Sequence, residues 1–485
     1  VWPVLAALGL AATLGNGSVL SVRKHRPESL WGGGISPVRP SMPSRTAYLA
    51  DIVLGSDNLT VQVDSGSSLL AVRDCDAAGA SVACHHWSGS HVSQRVLYFT
   101  PDCIHDITSS YHPGCGFVVQ YVDGSQISGE LATDAAVIGG MAHSARFGRI
   151  KKAVSFYEPP HVAGIMGLGP NALNTDYGRT TFASLLLSGH AGNGLSFCLA
   201  RDGGYMLLGE RVAGRHSWYQ PGSLRSFRLN ADSLYYALQL TAVLLRAPGG
   251  SPLVDYSLNL TATELGGDSG ALLDTGTTEI VLPTSAFLKL KSALGNFQNV
   301  PGIGSCTQPC PSRVCDGGIF DGSNMLLSPS QLAAFPTLVL RATLAGGDSP
   351  AELALRPEHY LIDLGGRCYT TGIMTLPGDT EDLILGDVFL RAFYVEIDRH
   401  EQSVGLAPSL NCTVPPPSTS PFGRPNVNTV LHLISAAVAL ATLVLVARAL
   451  VVECKAVLAS RAQRPFWLPF RRSGRGARGG RTPSS

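Results

Sequence analysis

The sequence predicts an all-β body made of two similar lobes, and two observations support that prediction. The first is composition, because 54 glycines and 31 prolines separate many short apolar runs, a pattern typical of strands joined by turns. The second is an internal repeat, in which VDSGSSLLAV at 63–72 returns as ALLDTGTTEIVL at 271–282. In both copies an apolar strand leads into an aspartate, which is followed by hydroxyl residues around a glycine.

Each copy of the repeat has a partner segment about a hundred residues further along the chain. AGIMGLG at 163–169 follows the first copy, and LILGDVF at 383–389 follows the second. One Asp-Ser-Gly alone would be interpreted as an ordinary turn, because these residues favour turns for local backbone reasons. Two copies with matching partners instead indicate a duplicated lobe that carries one special carboxylate in each half, Asp64 and Asp274.

Length and composition agree with a globular protein of more than one domain. A chain of 485 residues exceeds what one hydrophobic core usually serves, so about two domains with additional segments are expected. Hydrophobic residues make up 45% and charged residues 15%, which excludes bulk disorder. Helical patterns are few, and the best are 180–189 and 284–294, each short and apolar on one face.

The first residues predict a leader rather than part of the folded body. WPVLAALGLAATL resembles the apolar core of a signal peptide, so residues 1–18 are interpreted as its remnant, with a buried first strand or helix as the alternative. Residues 19–46 are basic and rich in Pro and Gly, and form either a short prosegment or a disordered leader. A prosegment would place Lys24 or Arg26 near the acidic pair.

The other end of the chain predicts a membrane anchor. Residues 427–447 contain no Asp, Glu, Lys or Arg, and about 20 apolar residues suffice to cross a bilayer. The tail at 448–485 is rich in Arg and has Glu453 as its single acid, which predicts a cytosolic tail and a type I topology. Its RGRGARGGR segment offers RNA binding as an alternative, but a topogenic tail is favoured and no nucleic-acid partner is expected. Residues 411–426 form a Pro/Ser/Thr-rich stalk.

The cysteines and glycosylation sequons agree with a luminal or extracellular body. Ten of the eleven cysteines precede the predicted span, and an even number in an oxidising compartment indicates up to five disulfides. These are Cys75, Cys84, Cys103, Cys115, Cys198, Cys306, Cys310, Cys315, Cys368 and Cys412. Zinc binding by the Cys and His residues at 84–115 is a weaker alternative, because their spacing matches no compact zinc pattern, and no metal is expected. Asn58, Asn259 and Asn411 lie in Asn-x-Ser/Thr sequons.

These motifs together resemble the pepsin-like (A1 family) aspartic proteases. LILGDVFLRAFYVEIDRHEQSVGLAP at 383–408 is similar to that family's closing segment, and YVDGSQISGE at 121–130 resembles its flap hairpin. Four cysteines between the first aspartate and the flap, with FCL at 197–199, resemble the nepenthesin and plasmepsin V branch. The predicted C-terminal anchor is also similar to membrane-bound members such as plasmepsin V.

The resemblance covers about residues 47–410 and implies a bilobal fold with the active-site cleft between the lobes. The N-terminal lobe would span 47–222 and the C-terminal lobe 223–410. The implied activity is that of a monomeric, membrane-anchored aspartic endopeptidase acting without cofactor on peptides or proteins of the secretory pathway or cell surface. A catalytically inactive peptide-binding or adhesion protein of the same fold is the alternative. The sequence does not separate endoplasmic reticulum, Golgi, endolysosome and cell surface.

The chemistry of the acidic pair follows from elementary electrostatics. Two carboxylates held together cannot both ionise easily, so they share one proton. One then serves as general base towards water and the other as general acid. By resemblance, the neighbouring residues support the pair by turning the backbone, bonding the outer carboxylate oxygens and cross-linking the two loops. These supporting residues are Ser65, Gly66, Ser67, Thr275, Gly276 and Thr277.

The resemblance also places a flap over the cleft, and here the sequence departs from the family. Tyr121 matches the flap tyrosine, with Gly124 and Ser125 in the hairpin turn. Related chains carry tryptophan seven residues after the first aspartate, where this chain carries Ala71. That tryptophan normally donates a hydrogen bond to the flap tyrosine. A looser flap is therefore expected unless another group takes its place.

Disulfide pairs are predicted from spacing. The nearest-partner pairs are Cys75–Cys84, Cys103–Cys115 and Cys306–Cys310, with Cys315 competing in the third. Similar spacing in anchored relatives implies Cys315–Cys368 and Cys198–Cys412.

Overall fold

The computed structural model describes most of the predicted lobes. The described residues are 18–24, 48–77, 82–87, 94–95, 115–156, 159–170, 173, 180, 183–185, 194–201, 203–208, 218–248, 255–297, 300–302, 310, 317–347, 349–376 and 381–412. The predicted span at 427–447 and the tail at 448–485 lie outside them. Within the described part of the chain, no helix is both long and apolar enough to cross a bilayer.

Strands dominate the described residues, as the sequence predicted. The first half contains β1 (Ser18–Lys24), β2 (Tyr48–Leu54), β3 (Asp57–Asp64), β4 (Leu70–Arg73), β5 (Gln94–Arg95), β6 (Gly116–Gln120), β7 (Gln126–Ile138), β8 (Met141–Val154), β9 (Gly164–Gly167), β10 (Gly194–Ala200) and β11 (Gly203–Leu208). The second half contains β12 (Arg225–Arg228), β13 (Ala237–Leu238), β14 (Leu240–Arg246), β15 (Asp255–Ser257), β16 (Ala271–Leu273), β17 (Ile280–Val281), β18 (Met325–Leu326), β19 (Thr337–Thr343), β20 (Pro350–Leu355), β21 (Leu361–Gly365), β22 (Cys368–Thr371), β23 (Ile373–Met374), β24 (Leu383–Leu385), β25 (Phe393–Asp398) and β26 (Ser403–Pro408).

The helices are short. They are α1 (Thr284–Leu294), α2 (Pro329–Leu332), α3 (Pro357–Tyr360) and α4 (Asp387–Leu390), with 3₁₀ turns at Thr263–Leu265 and Ile319–Asp321. The predicted helix at 284–294 is present as α1. It buries Ala286, Leu290 and Leu294 at the i, i+4, i+8 spacing of one helix face. The other predicted helix, at 180–189, lies largely outside the described residues.

The two halves repeat the same strand topology around the two aspartates. In the first half β9 lies between β3, to which it is parallel, and β4, to which it is antiparallel, and β8 follows parallel to β4. In the second half β24 lies between the parallel β16 and the antiparallel β17, and β23 follows parallel to β17. Each aspartate lies at the end of the first strand of its set. The sequence repeat is therefore also a structural repeat.

A sheet of 14 strands joins the halves. Its order is β12-β26-β25-β10-β11-β1-β2-β3-β9-β4-β8-β7-β5, with β6 also paired to β7. The join is the antiparallel pair of β10 and β25, in which Cys198 lies opposite Tyr394. Three smaller sheets complete the second half, in the orders β13-β16-β24-β17-β23, β15-β14-β19-β20 and β18-β22-β21.

Strand β1 lies almost entirely in the segment 19–46, which was predicted to be a leader or a short prosegment. It lies between β11 and β2 and pairs antiparallel with both, with Val22 opposite Gly204 on one side and Ala50 on the other. Hydrogen bonding on both edges makes it an interior strand of the sheet. Residues 18–24 therefore pair with the sheet on both edges, and the assignment of 19–46 to a leader or short prosegment stays a prediction.

Three disulfides are described, and one corrects the predicted pairing. Cys75 is joined to Cys84 and Cys198 to Cys412, as the spacing predicted. Cys310 is joined to Cys368, so the predictions Cys306–Cys310 and Cys315–Cys368 were wrong. Cys115 is also disulfide-bonded, but its predicted partner Cys103 lies outside the described residues, as do Cys306 and Cys315.

Strand pairing explains the corrected disulfide. The amide N–H of Cys310 donates to the carbonyl of Asn324 at 3.4 Å, immediately before β18. Strand β18 pairs with β22, so that Leu326 lies opposite Cys368. Cys310 is thereby held close to Cys368 in space although 58 residues separate the two in sequence. Cys84 forms a disulfide with Cys75, so it has no thiolate with which to bind zinc.

Candidate active site

The two aspartates lie where their strands give way to tight loops. Asp64 is the last residue of β3, and Asp274 follows the last residue of β16. The partner strands β9 and β24 hold the two positions, because the Leu168 amide donates to the Asp64 carbonyl at 2.7 Å and the Asp274 amide donates to the Leu385 carbonyl at 3.2 Å. Both side chains are buried, with 4% of Asp64 and 9% of Asp274 exposed.

Each carboxylate receives the same two donors from its own loop. The Gly66 amide donates to Asp64 Oδ1 at 2.8 Å and the Ser67 hydroxyl donates to Asp64 Oδ2. In the second loop the Gly276 amide donates to Asp274 Oδ1 at 2.8 Å, and Thr277 Oγ1 donates to Asp274 Oδ2 at 2.6 Å. These hydrogen bonds fix the orientation of both carboxylates.

Reciprocal hydrogen bonds join the two loops. Ser65 Oγ donates to the Leu273 carbonyl at 2.8 Å and accepts from the Thr275 amide at 3.0 Å. Thr275 Oγ1 donates to the Val63 carbonyl and accepts from the Ser65 amide, both at 3.0 Å. Ser65 and Thr275 are each 1% exposed, so these bonds are shielded from competing water.

The glycine in each loop lies against the carboxylate of the other loop. An added Cβ on Gly66 would stand 2.6 Å from Asp274 Cγ, and one on Gly276 would stand 2.8 Å from Asp64 Cγ. Neither distance leaves room for a side chain. Glycine at both positions therefore lets the two loops approach until their carboxyl groups interact directly.

The proximity of the carboxyl groups perturbs their protonation. Burial first, then the negative charge of Asp274 and the hydrogen bond between the two carboxyl groups, raise the pKa of Asp64 well above its usual value. Burial, followed by the charges of Asp382, Asp274 and Asp64, also raises the pKa of Tyr235, which places this phenol near the same pair. The pair is therefore suited to share a proton and to titrate as a unit.

A hairpin with a tight turn forms the predicted flap. Strands β6 and β7 flank the turn, in which the Tyr121 amide donates to the Ser125 carbonyl at 2.8 Å and the Gly124 amide donates to the Tyr121 carbonyl at 2.9 Å. Gly124 has φ of 81°, in the left-handed region that glycine tolerates best. The turn thus places Tyr121 at the base of the flap tip.

The tyrosine ring of the flap has an aromatic neighbour in this chain. Tyr121 stacks on Phe156, with ring centroids 5.5 Å apart and an angle of 26° between the planes. Both rings pack against an apolar cluster under the flap, which includes the fully buried Ala71 together with Phe117 and Ile165. Phe156 therefore packs against Tyr121 in this chain, which has Ala71 at the position of the family's tryptophan.

Sequence reasoning missed three residues that line this region. They are Gln62, Phe156 and Tyr235. Gln62 was detectable, because it lies two residues before Asp64 and so shares its face of β3. No comparable sequence signal marked Phe156 or Tyr235, since each reaches the site from a different part of the chain.

Comparison with known proteins fits this geometry. Residues 47–409 match the family described as eukaryotic aspartyl protease. The chain belongs to that family. Porcine (Sus scrofa) pepsin A is 26% identical to this aspartyl protease over 406 residues, which cover 80% of this chain and 89% of pepsin A. Rhizopuspepsin-1 of Rhizopus niveus is 26% identical over 412 residues, and an aspartic protease of Phaffia rhodozyma is 26% identical over 367 residues. The alignment with rhizopuspepsin-1 covers 81% of this chain and 88% of that protein, and the alignment with the Phaffia rhodozyma protease covers 75% of this chain and 76% of that protein.

The family assigns the reaction class. This aspartyl protease is an aspartic-type endopeptidase, and it therefore hydrolyses peptide bonds of peptide or protein substrates. Of the predicted all-β, bilobal architecture, the coarser part is confirmed: the described residues are mostly strands with few helices, consistent with a pepsin-like fold.

Proposed function

We propose that Asp64 and Asp274 carry out peptide hydrolysis as one proton-sharing unit that activates a water molecule. The observation that carries this proposal is the close approach of the two carboxyl groups, each of which lies against the glycine of the other loop. Burial and the neighbouring charge of Asp274 accordingly raise the pKa of Asp64. A raised pKa keeps one proton on the pair at a pH where isolated carboxylates have lost theirs. The pair then contains an acid and a base at the same time.

The reaction follows from these two roles. The ionised member of the pair takes a proton from water, whose oxygen attacks the carbonyl carbon of the peptide bond. The protonated member donates its proton to the carbonyl oxygen, which gives a tetrahedral diol. As the C–N bond breaks, the proton taken from water passes to the amine nitrogen, and one hydroxyl of the diol returns a proton to the pair. The donors from Gly66, Ser67, Gly276 and Thr277 hold the carboxylates in place throughout. No covalent intermediate with the protein is required.

The compartment and the anchor complete the proposal. The protease would be held in a membrane of the secretory pathway by residues 427–447, with its body luminal or extracellular, acting on proteins of that pathway or of the cell surface. Its placement in the nepenthesin and plasmepsin V branch, its monomeric state and the lobe boundaries remain predictions from sequence. The disulfides Cys75–Cys84, Cys198–Cys412 and Cys310–Cys368 support an oxidising compartment. Exposed side chains at Asn58, Asn259 and Asn411 support glycosylation.

The catalytic proposal is tested by cleavage of a peptide library across acidic to neutral pH. Asp64→Asn and Asp274→Asn should each lower turnover by on the order of 10³-fold or more, and the double variant should be hardly worse, because groups acting as one unit are not additive. Asp268→Asn, at an exposed carboxylate, is the matched control and should retain wild-type turnover. Comparable turnover in the wild type and both single variants would refute the pair. Binding without cleavage in the wild type would favour the inactive binding protein.

The anchor is tested separately. Truncation before Val427 should release the body from membranes, and a protease-protection assay should place residues 448–485 in the cytosol. A truncated chain that stays membrane-integrated contradicts the anchor without affecting the catalytic proposal.

A further inference from the structure

Strand β3 presents two different faces, and one of them contains a polar residue beside Asp64. Leu59, Val61 and Val63 are buried in the main core. Alternate residues of a strand point to opposite faces, so Gln62 and Asp64 share the other face. Gln62 is only partly buried, and it lies on the same face of the strand as Asp64.

The Gln62 side chain reaches across to the second catalytic loop. Its Nε2 donates to the Gly276 carbonyl oxygen at 3.2 Å, between residues 214 positions apart. Gly276 is the glycine whose Cα faces Asp64 and Asp274. A carbonyl oxygen only accepts hydrogen bonds, so the NH₂ end of the carboxamide must face it. This contact fixes the orientation of the amide and directs Oε1 away from Gly276.

The oxygen end of this carboxamide has unused hydrogen-bonding capacity. Of the residues that the structure describes, none donates a hydrogen bond to Gln62 Oε1. In the sheet, Gln62 lies opposite Ile165 of β9, which belongs to the apolar cluster containing Leu69 and Ala71. Gln62 is therefore a hydrogen-bonding group beside an otherwise apolar wall under the flap.

We propose that Gln62 Oε1 accepts a hydrogen bond from the bound peptide and so acts as a specificity-determining residue of this protease. The donor is either a side-chain hydroxyl, amide or cationic group, or a main-chain N–H, of a residue near the cleaved bond. The proposal rests on the peptidase activity proposed above, but it concerns which peptides bind. A donor is selected because the NH₂ end is already committed to Gly276.

The expected effect is on binding and not on the chemical step. The hydrogen bond would be present in the bound substrate and in the transition state alike, so its loss should raise KM and leave kcat nearly unchanged. One neutral hydrogen bond corresponds to about a tenfold change in affinity. A residue that only supported the loops would instead lower kcat.

The test uses binding, so that it remains readable if turnover fails. The probes are statine-containing peptides, which carry either Thr or the similarly shaped Val at each position, and a second set with single N-methylated amides. Dissociation constants are measured for the full chain as wild type, Gln62→Met, Gln62→Glu and Gln239→Met. Gln62→Met loses both ends of the amide, whereas Gln62→Glu keeps an acceptor and loses the donor to Gly276. Gln239 is exposed, and its substitution is the matched control.

The outcomes separate the alternatives. At one position the wild type should favour Thr over Val by about tenfold, which identifies a side-chain donor, or lose about tenfold on N-methylation, which identifies a main-chain donor. Gln62→Met should abolish that preference, and Gln62→Glu and Gln239→Met should keep it. An unchanged preference in Gln62→Met overturns the proposal. Equal loss in the Met and Glu variants also overturns it, because the link to Gly276 would then be the cause. A wild type that binds with this preference but never cleaves contradicts only the proposed peptidase reaction.

Discussion

The contact between the two catalytic loops makes a quantitative prediction at Thr275. Its hydroxyl accepts from the Ser65 amide and donates to the Val63 carbonyl, and it is 1% exposed. Thr275→Val keeps the shape of the side chain and removes both hydrogen bonds. One buried donor and one buried acceptor then lack their partners. Each such group costs about 1–3 kcal/mol, so the free energy of unfolding should fall by about 2–6 kcal/mol.

Activity should fall as well, because the same hydrogen bonds hold Asp64 and Asp274 in register. A displacement of about 1 Å between reacting groups lowers rates by on the order of 100-fold, so kcat should fall by about 10- to 100-fold. Thr275→Ser is the matched control. It retains the hydroxyl and should keep both stability and kcat close to those of the wild type.

Urea unfolding followed by tryptophan fluorescence measures the change in stability, since Trp218 is fully buried beside the sheet that joins the halves. With a denaturant slope of about 3 kcal/mol/M, the urea midpoint of Thr275→Val should fall by about 0.7–2 M. Peptide cleavage measures kcat in parallel. If Thr275→Val unfolds at the same urea concentration as Thr275→Ser and turns over as fast, the two hydrogen bonds do not align the loops.

Two further predictions concern the support of the body and of the flap. Burial alone would raise the pKa of Glu264, but hydrogen bonds from Lys289 and the Thr261 amide outweigh it and lower this pKa to about 2 from the ordinary 4.5. The ionised Glu264 therefore stabilises the fold fully above pH 4.5, and this stabilisation is lost as the pH falls towards 2. Urea unfolding should show that the difference in free energy of unfolding between the wild type and Glu264→Gln narrows over that pH interval. A difference that does not change with pH contradicts the lowered pKa of Glu264. Phe156→Leu removes the ring that stacks on Tyr121, so amide hydrogen exchange at the flap turn should become faster. KM should rise by about two- to tenfold, which is the change in affinity that corresponds to the loss of one aromatic pair. Exchange as slow as in the wild type would show that the stacking does not hold the flap.

The two aspartate loops were predictable from sequence because the residues that form each loop are neighbours in the chain. Each motif contains its own strand, turn glycine and hydroxyl donor, and its duplication indicates that two such loops exist. The contacts made by Ser67 and Thr277 then follow within three residues of each aspartate. Helix α1 was predictable for the same reason, since its apolar spacing is contained in one segment.

Contacts between distant segments were not predictable in the same way. Spacing along the chain suggested Cys306 as the partner of Cys310, whereas the pairing of β18 with β22 brings Cys368 to it. The absence of the family's tryptophan at Ala71 suggested a loose flap, whereas Phe156 approaches Tyr121 from the end of β8. In both cases a residue's neighbours depend on how strands register, which one segment of sequence does not encode.

The described contacts make the catalytic geometry a property of the two halves together. Ser65 donates to the Leu273 carbonyl, and the buried Tyr236 hydroxyl donates to the Leu168 carbonyl at 3.1 Å, so two buried hydrogen bonds tie elements next to one aspartate to the other half. The raised pKa of Asp64 also depends on Asp274, which the second half supplies. An interface that shifts slightly would separate the carboxyl groups and let both ionise. Substitutions in these cross-half hydrogen bonds should therefore reduce proton sharing, and with it catalysis, before they unfold either half.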